Sequence, residues 1–358
     1  MTRKIFNQKL KLILKNKTIL ITGGTGSLGR VLTKRLLSFN PKKIIIFSRT
    51  EDKRARTKKE FENKSKKMII EYIPGSILEK DKLKKALENV NIVFHLAAMK
   101  RIEECQQHPK EAIEINQGGT SILTELILQN GNIEHVIAAS SDKATNPSNV
   151  YGNTKKAMED IFIGAQRGAE GRNIKTKFSL VRGGNFLGSY GSILPIWIDT
   201  AKSQKVLEIT DPKMKRYTLL LSEAVDLFLW TLLNSKGGQI ITREMPIFCL
   251  GDLVDVISKI YKVKTKTIGI RIDGREKIVE ELISNTEIPF TEETVYPFNT
   301  KYLSKSKKFR IFILTPGKKS KKNITFNTFD SSICLSKKEL YKMLKQGEPS
   351  QGEWIPKK

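Results

Sequence analysis

The stretch Thr18-Ile19-Leu20-Ile21-Thr22-Gly23-Gly24-Thr25-Gly26-Ser27-Leu28-Gly29 leaves this chain little choice of fold. Its first five residues, apolar and β-branched, read as a buried strand. The glycines that follow at once make a tight turn, and Val31, Leu32, Leu36 and Leu37 then recur at helical spacing. Strand, glycine turn and helix in that order begin a βαβ unit, and the turn carries chemistry as well as shape. Glycines let a backbone approach a pyrophosphate, while the first turn of a helix offers free N–H groups and partial positive charge. The spacing fits G-x-G-x-x-G from Gly24 and G-x-x-G-x-x-G from Gly23, so the turn alone does not choose a subclass.

The same alternation continues downstream. Apolar runs at 43–47, 68–73, 91–98, 136–139 and 177–181 read as strands, with helical patterns over 51–67, 80–87 and 113–128 between them. This predicts an α/β protein with a doubly wound, mostly parallel sheet. Residues 1–185 are expected to form the dinucleotide-binding Rossmann domain. Beyond Phe186 the pattern is broken by Gly188, Gly191, Pro195 and Pro212, and 186–358 is expected to be mainly a smaller substrate-binding domain and tail. Segments of 222–260 are expected to return to the sheet. They comprise a helix over 222–234 capped by Ser222 with Glu223 in its first turn, and a helix over 251–261 after a short strand. The last residues, 347–358, are expected to fray.

The second strand ends in Ser48-Arg49, where a cofactor with a free ribose hydroxyl would want an acid. The first carboxylate arrives only at Glu51. A hydroxyl and a guanidinium suit a 2'-phosphate, so NADP is expected over NAD. The fourth strand ends in His95-Leu96-Ala97-Ala98, whose small residues let a cofactor lie close. His95, inside an apolar run, reads as a packed residue rather than a catalyst.

The fifth strand delivers the stretch Ser140 to Lys156. Tyr151 and Lys155 are four apart and share a helix face, and an ammonium there lowers the pKa of a phenol. Ser141, Asp142 and Lys143 leave the strand end, where open α/β sheets place their ligand sites. Tyr-x-x-x-Lys is frequent by chance in a lysine-rich chain, and it gains weight here from the glycine turn upstream.

A net charge of +27 over 358 residues raises the question of nucleic acid. The lysine clusters are short, scattered and without interleaved aromatics for stacking, so they read as solvated faces and no nucleic-acid partner is expected. Cys105, Cys249 and Cys334 are isolated, with none of the close spacing a zinc site needs. No metal is expected, and free thiols point to the cytoplasm. No stretch approaches the length of a transmembrane helix. Lys9 to Lys15 reads either as a segment touching an anionic membrane or as a short packed helix.

With these residues in place the chain resembles an extended short-chain dehydrogenase/reductase. It is most similar to the branch typified by inverting UDP-N-acetylglucosamine 4,6-dehydratases of capsule and flagellar-glycan synthesis. The marks are Thr22 to Gly29, Phe47-Ser48-Arg49, Ala97-Ala98-Met99-Lys100, Ser141-Asp142-Lys143-Ala144, Tyr151-Gly152-Asn153-Thr154-Lys155 and Gly184-Asn185-Phe186-Leu187-Gly188-Ser189. The resemblance runs from Lys17 to Ile283, with a weaker echo over Leu335 to Leu344. It implies cofactor contacts from Gly23, Thr25, Gly26, Ser27, Leu28, Gly29, Ser48, Arg49, Ser76, Ile77, Ala97, Ala98, Tyr151 and Lys155. It implies substrate contacts from Lys100, Asn185, Phe186, Ser189, Arg216 and Arg271, on a UDP-sugar. Tyr151, with its pKa lowered by Lys155 and the nicotinamide charge, would take the 4-hydroxyl proton. Ser141 would hydrogen-bond the sugar oxygen, Lys143 would remove the proton at carbon 5, and protonated Asp142 would assist departure of the 6-hydroxyl. A homo-oligomer is also implied. A UDP-sugar 4-epimerase uses the same tyrosine and is the alternative within the fold. The chain departs from the pattern where Ser76 replaces an acid, Tyr190 an arginine and Val279 a histidine, and where the Arg271 to Lys277 loop is stretched.

Overall fold

The computed structural model describes residues 2–62, 69–269, 276–298, 302–303, 309–321, 324 and 334–346. Its centre is a nine-stranded sheet. In chain order the strands are β1 (Thr18–Thr22), β2 (Lys43–Ser48), β3 (Ile69–Pro74), β4 (Ile92–His95), β5 (His135–Ser141), β6 (Lys177–Gly183), β7 (Asn185–Leu187), β8 (Leu207–Ile209), β9 (Lys215–Leu220), β10 (Gln239–Arg243), β11 (Ile247–Cys249), β12 (Thr265–Thr267), β13 (Thr291–Val295) and β14 (Arg310–Leu314). The sheet order is β13-β14-β10-β6-β5-β4-β1-β2-β3. Neighbours from β3 to β10 pair in parallel, and β14 and β13 are added antiparallel at one edge. The expected doubly wound α/β sheet is therefore present, and its strand order reverses between β1 and β4, where such folds open a ligand crevice.

Each face of the sheet is covered by its own apolar cluster. On one side Leu20, Val93, Val136 and Phe178 meet Leu123, Ile127, Met158 and Phe162 from the helices Gly119–Asn130 and Val150–Gly171. On the other, Ile19, Ile21, Ile44 and Phe94 meet Leu32, Leu36, Leu227 and Phe228. A strand buried on both faces reads as a continuous apolar run, and β1 is buried at every position.

The N-terminal segment forms the helix Arg3–Leu14. Phe6, Leu10 and Leu14 are buried in the second cluster, and Arg3 pairs with Asp226 at 2.6 Å, so the packed reading of this segment holds. Ser222 is not the cap of the 221–234 helix. Leu220 stands at the N-cap, and Glu223 accepts from its backbone N–H at 3.0 Å, which places the helix start one residue earlier. The expected strand start at Met68 and the tail 347–358 lie outside the described residues.

The expected helix over 113–128 is interrupted. Pro109–Ile113 is α-helical, Glu114–Gly118 is a π turn, and Gly119–Asn130 is α-helical again. Such a turn adds a residue to the helical circuit and redirects a side chain. Here Asn116 is buried within it.

After β6 the chain builds a smaller set of elements. β7, β9 and β11 form a three-stranded sheet, and β8 pairs with β12. Leu194, Trp197, Phe248, Leu253 and Ile257 pack there with Leu340 and Met343 of the helix Lys337–Gln346.

Candidate active site

The glycine turn closes as its sequence requires. Gly23 has φ +67, and a Cβ there would come within 2.8 Å of the Ala97 backbone nitrogen. Glycine therefore lets the β1 turn lie directly against the end of β4. The helix Ser27–Leu37 starts at this point with Gly26 as its N-cap and no side-chain cap, and its first residues line the crevice.

On the opposite wall, β5 ends at Ser141, which caps the short turn Asp142–Ala144 by accepting from Lys143 N–H. Asn149 then caps the helix Val150–Gly171, its side chain accepting from Gly152 N–H at 2.9 Å. A Cβ at Gly152 would strike the Lys143 carbonyl at 2.4 Å. The glycine after Tyr151 is thus what allows the helix to press against the Lys143 turn and bring phenol and amine to one side.

These walls enclose a cavity of about 1130 Å³. That exceeds the usual size of a single-ligand site and leaves space for two extended ligands. Gly23, Thr25, Gly26, Ser27, Leu28 and Gly29 line it along one wall. Ser48, Arg49, Ile77, Ala97 and Ala98 lie beside them, and Ser141, Lys143, Tyr151 and Lys155 face the same space. Lys100, Asn185, Phe186, Ser189 and Arg216 are also in its wall.

Two expected residues are placed differently, and a third falls outside the described residues. Asp142 is fully buried behind the wall, where Oδ1 accepts from Ser141 Oγ at 2.9 Å and from Lys143 Nζ at 3.1 Å. Ser76 is outside the lining because it is used in a local turn: its N–H donates to Glu79 at 2.6 Å and its hydroxyl accepts from Leu78 N–H. Arg271 lies outside the described residues.

The electrostatics also correct the sequence reading. Burial pushes the Tyr151 phenol up to about 12, and the cation that opposes this is Lys143, aided by a hydrogen bond from Ser141. Lys155 is turned elsewhere, donating to the Ala139 carbonyl at 2.6 Å, and burial lowers its pKa to about 8. Burial alone would lower Lys143 too, yet Asp142 and Glu280 outweigh it and raise this ammonium to about 12. Lys143 thus lies between two carboxylates that favour its charged form. His95 is a packed residue, as expected. It bonds Thr22 and Thr120, lies stacked at 6.2 Å from Phe162, and is lowered to about 3 by burial.

Sequence reasoning missed several residues. Glu280 meets Lys143 at 3.4 Å from 137 positions away, and Glu276 meets Arg216 at 3.9 Å. Asn116 holds Met99 by both its N–H and its carbonyl, at 2.8 and 2.9 Å, and so fixes the Ala97–Lys100 wall. Lys53 and Arg56 join Arg49 in the lining near the end of β2, and Lys53 lies 5.2 Å over the Tyr190 ring. Tyr190 N–H in turn donates to Ser27 Oγ at 2.9 Å, which ties the 189–192 segment to the glycine turn.

The residues present fit a nicotinamide dinucleotide. The glycine turn lines a close-packed wall, and among the described residues no carboxylate side chain stands in the lining at the β2 end. Ser48 Oγ is buried with no hydrogen-bond partner among the described residues, a donor that an anionic ligand would satisfy. Among the described residues no group of acidic, histidine or cysteine side chains could hold a metal ion.

Comparison with known proteins agrees with this geometry. The family described as polysaccharide biosynthesis protein matches residues 19–300. A protein of Methanocaldococcus jannaschii, described as an uncharacterized membrane protein, is 38% identical over 351 residues, 95% of this chain and 98% of that protein. The UDP-N-acetylglucosamine 4,6-dehydratase (inverting) of Campylobacter jejuni is 33% identical over 343 residues, 94% of this chain and 99% of the enzyme. The UDP-glucose 4-epimerase of Rickettsia rickettsii is 34% identical over 278 residues, 76% of this chain and 79% of that enzyme. The X-ray structure of Pen from Bacillus thuringiensis, 29% identical, superposes with a TM-score of 0.81 over 93% of this chain and 98% of Pen. Among the described residues no helix is long and apolar enough to cross a membrane.

Proposed function

Because this chain belongs to the polysaccharide biosynthesis protein family, among the extended short-chain dehydrogenases/reductases, we propose that it is an NADP-dependent nucleotide-sugar 4,6-dehydratase. Its substrate on this reading is UDP-N-acetylglucosamine, and its product is a UDP-4-keto-6-deoxy-hexose inverted at carbon 5, made for surface glycan synthesis. The observation that carries the reading is the opening of Tyr151, Ser141 and Lys143 into the one cavity that the glycine turn also lines. A phenol and an amine facing one space can act on adjacent carbons of one sugar ring.

Bound NADP would supply a hydride acceptor and donor, and its positive ring would favour the phenolate. Gly23, Gly26, Ser27, Ser48 and Arg49 would hold it, with Arg49 and Lys53 at the 2'-phosphate. Tyr151 receives the proton of the 4-hydroxyl, and Ser141 holds that oxygen through a hydrogen bond. The 4-ketone acidifies the proton on carbon 5, which Lys143 is placed to remove. Asn185 and Arg216 bind the sugar diphosphate, Arg216 through its planar fork. Asp142 acts from behind the wall by fixing Lys143, rather than by reaching the 6-hydroxyl.

The Rickettsia enzyme favours a second reading, a UDP-sugar 4-epimerase. Such an enzyme needs Tyr151 but has no use for an amine held between two carboxylates, and this arrangement favours the dehydratase. Incubation with UDP-N-acetylglucosamine in heavy water, without added reductant, separates the two by mass spectrometry. A dehydratase yields a product that has lost water and gained deuterium at carbon 5. An epimerase yields a product of unchanged composition.

A further inference from the structure

Glu280 joins the site from far along the chain. Its Oε1 lies 3.4 Å from Lys143 Nζ, and the carboxylate side chain is only 5% exposed. It faces the same cavity as Lys143. Its other oxygen, Oε2, is buried without a hydrogen-bond partner among the described residues, a costly state for a carboxylate.

The segment that carries Glu280 is pinned from several sides. Lys215 N–H donates to the Ile278 carbonyl at 2.8 Å, and Lys277 Nζ donates to the Thr145 carbonyl at 2.8 Å. Arg182 Nη1 donates to the Leu282 carbonyl at 2.8 Å. Arg182 is itself held in two-pronged pairs by Glu159 and Glu287. The carboxylate is therefore built into the site rather than passing across it.

Asp142 is the second carboxylate on Lys143, and its Oδ2 is likewise buried without a partner among the described residues, but it lies behind the wall and outside the cavity lining. Two carboxyl groups thus stand against one ammonium in a buried cluster. Burial raises the pKa of Asp142. Of the three groups, only Lys143 and Glu280 face the cavity.

Resting on the dehydratase reading above, we propose that Glu280 is the proton partner of Lys143 and the acid that expels water. The Glu280 carboxylate takes a proton from the Lys143 ammonium, which leaves a neutral amine. The amine removes the proton on carbon 5. The C–H electron pair becomes the carbon 5–carbon 6 double bond, and the carbon 6–oxygen bond breaks with its electrons on oxygen. The Glu280 carboxylic acid protonates that oxygen, and water leaves. Lys143 ends as ammonium and Glu280 as carboxylate, so the step is redox-neutral and regenerates both groups. The other ionisable groups facing the pair are Asp142, Tyr151 and Arg216, the last held by Glu276.

The test compares wild type, Glu280→Gln and Asp142→Asn with UDP-N-acetylglucosamine and NADP, following reduced nicotinamide and loss of water from about pH 6 to about pH 9. Wild type is expected to lose water at a rate nearly flat in pH, because the proton moves within the pair. Glu280→Gln is expected to keep oxidation at carbon 4 but to lose water about 10² to 10³ times more slowly. Its residual rate should rise about tenfold per pH unit, since Lys143 must then shed its proton to solvent. A folding defect would remove carbon 4 oxidation as well, and a merely structural Glu280 would leave the pH profile unchanged. Water loss within about threefold of wild type in Glu280→Gln, or slow water loss with a flat profile, overturns the proposal, as does finding the new slope in Asp142→Asn instead. If wild type itself releases no water, the dehydratase reading fails and the role of Glu280 fails with it.

Discussion

The Asn116 amide donates to the Thr154 hydroxyl at 2.9 Å, a buried contact between residues 38 positions apart. It joins the π turn to the helix that carries Tyr151 and Lys155, while the other bonds of the same amide hold Met99. One side chain thus sets the β4 wall against the helix on which the phenol stands. Asn116→Ala removes three buried hydrogen bonds and leaves the Met99 N–H unpaired. The expected loss is about 2–3 kcal/mol in denaturant unfolding, with weakened cofactor binding in titration.

The Arg182–Glu159 pair is fully buried, with Nη2 at 2.7 Å from the carboxylate, and Ser140 donates to the same carboxylate at 2.6 Å. Glu159→Ala leaves a guanidinium without that partner inside the protein. The expected destabilisation is about 3–5 kcal/mol, measured by urea unfolding.

Glu287 supplies an acid-sensitive part of the same network. Its carboxyl lies below the ordinary carboxylate range: burial opposes ionisation, but the hydrogen bonds and charge of Arg182 outweigh it. A depressed folded pKa adds stability that is present above the ordinary carboxylate range and is lost as pH falls through the folded value. Glu287→Gln should therefore lower stability at neutral pH and flatten the acid limb of a stability-versus-pH curve.

Lys155 sits in the core of its helix, where burial lowers its pKa to about 8. A buried ammonium is costly at neutral pH and less so as pH rises from about 8 toward the unfolded lysine value near 10.4. Lys155→Met should raise the thermal midpoint at neutral pH, by about 1–2 kcal/mol in stability, while NADP binding is lost. A variant that is both less stable and still able to bind NADP would contradict this assignment.

Cofactor choice is expected to follow the end of β2. Ser48→Asp combined with Arg49→Ala replaces a donor pair by an acid, and should shift preference from NADP toward NAD by about 10- to 100-fold in affinity ratio. Binding titrations with both cofactors read this directly.

Much of the site was legible because its signals are local. The glycine turn needs a positive φ at Gly23 and close approach to Ala97, and sequence spacing reports such demands. Tyr151 and Lys155 share a helix face by periodicity alone. Where the reading failed, the cause lay in contacts that no local period encodes. Glu280 and Lys143 are 137 residues apart and meet through a segment with no helical or strand pattern. Asp142 was expected in the cavity, but the short turn that follows Ser141 directs it inward. Lys155 was expected to act on the phenol, yet the nearby Ala139 carbonyl takes its ammonium. The π turn at Asn116 left no mark on a helical pattern that looked continuous.

Single-turnover kinetics of Lys143→Arg with NADP and UDP-N-acetylglucosamine test whether Tyr151 and Lys143 act in succession on one hexose, because arginine keeps a cation beside the phenol but cannot serve as the base. Reduced nicotinamide is expected to accumulate with a 4-keto sugar while no water is released, since a cation remains beside the phenol and the basic amine is gone. Water release at the wild-type rate, or no cofactor reduction in a folded variant that binds NADP, would contradict it.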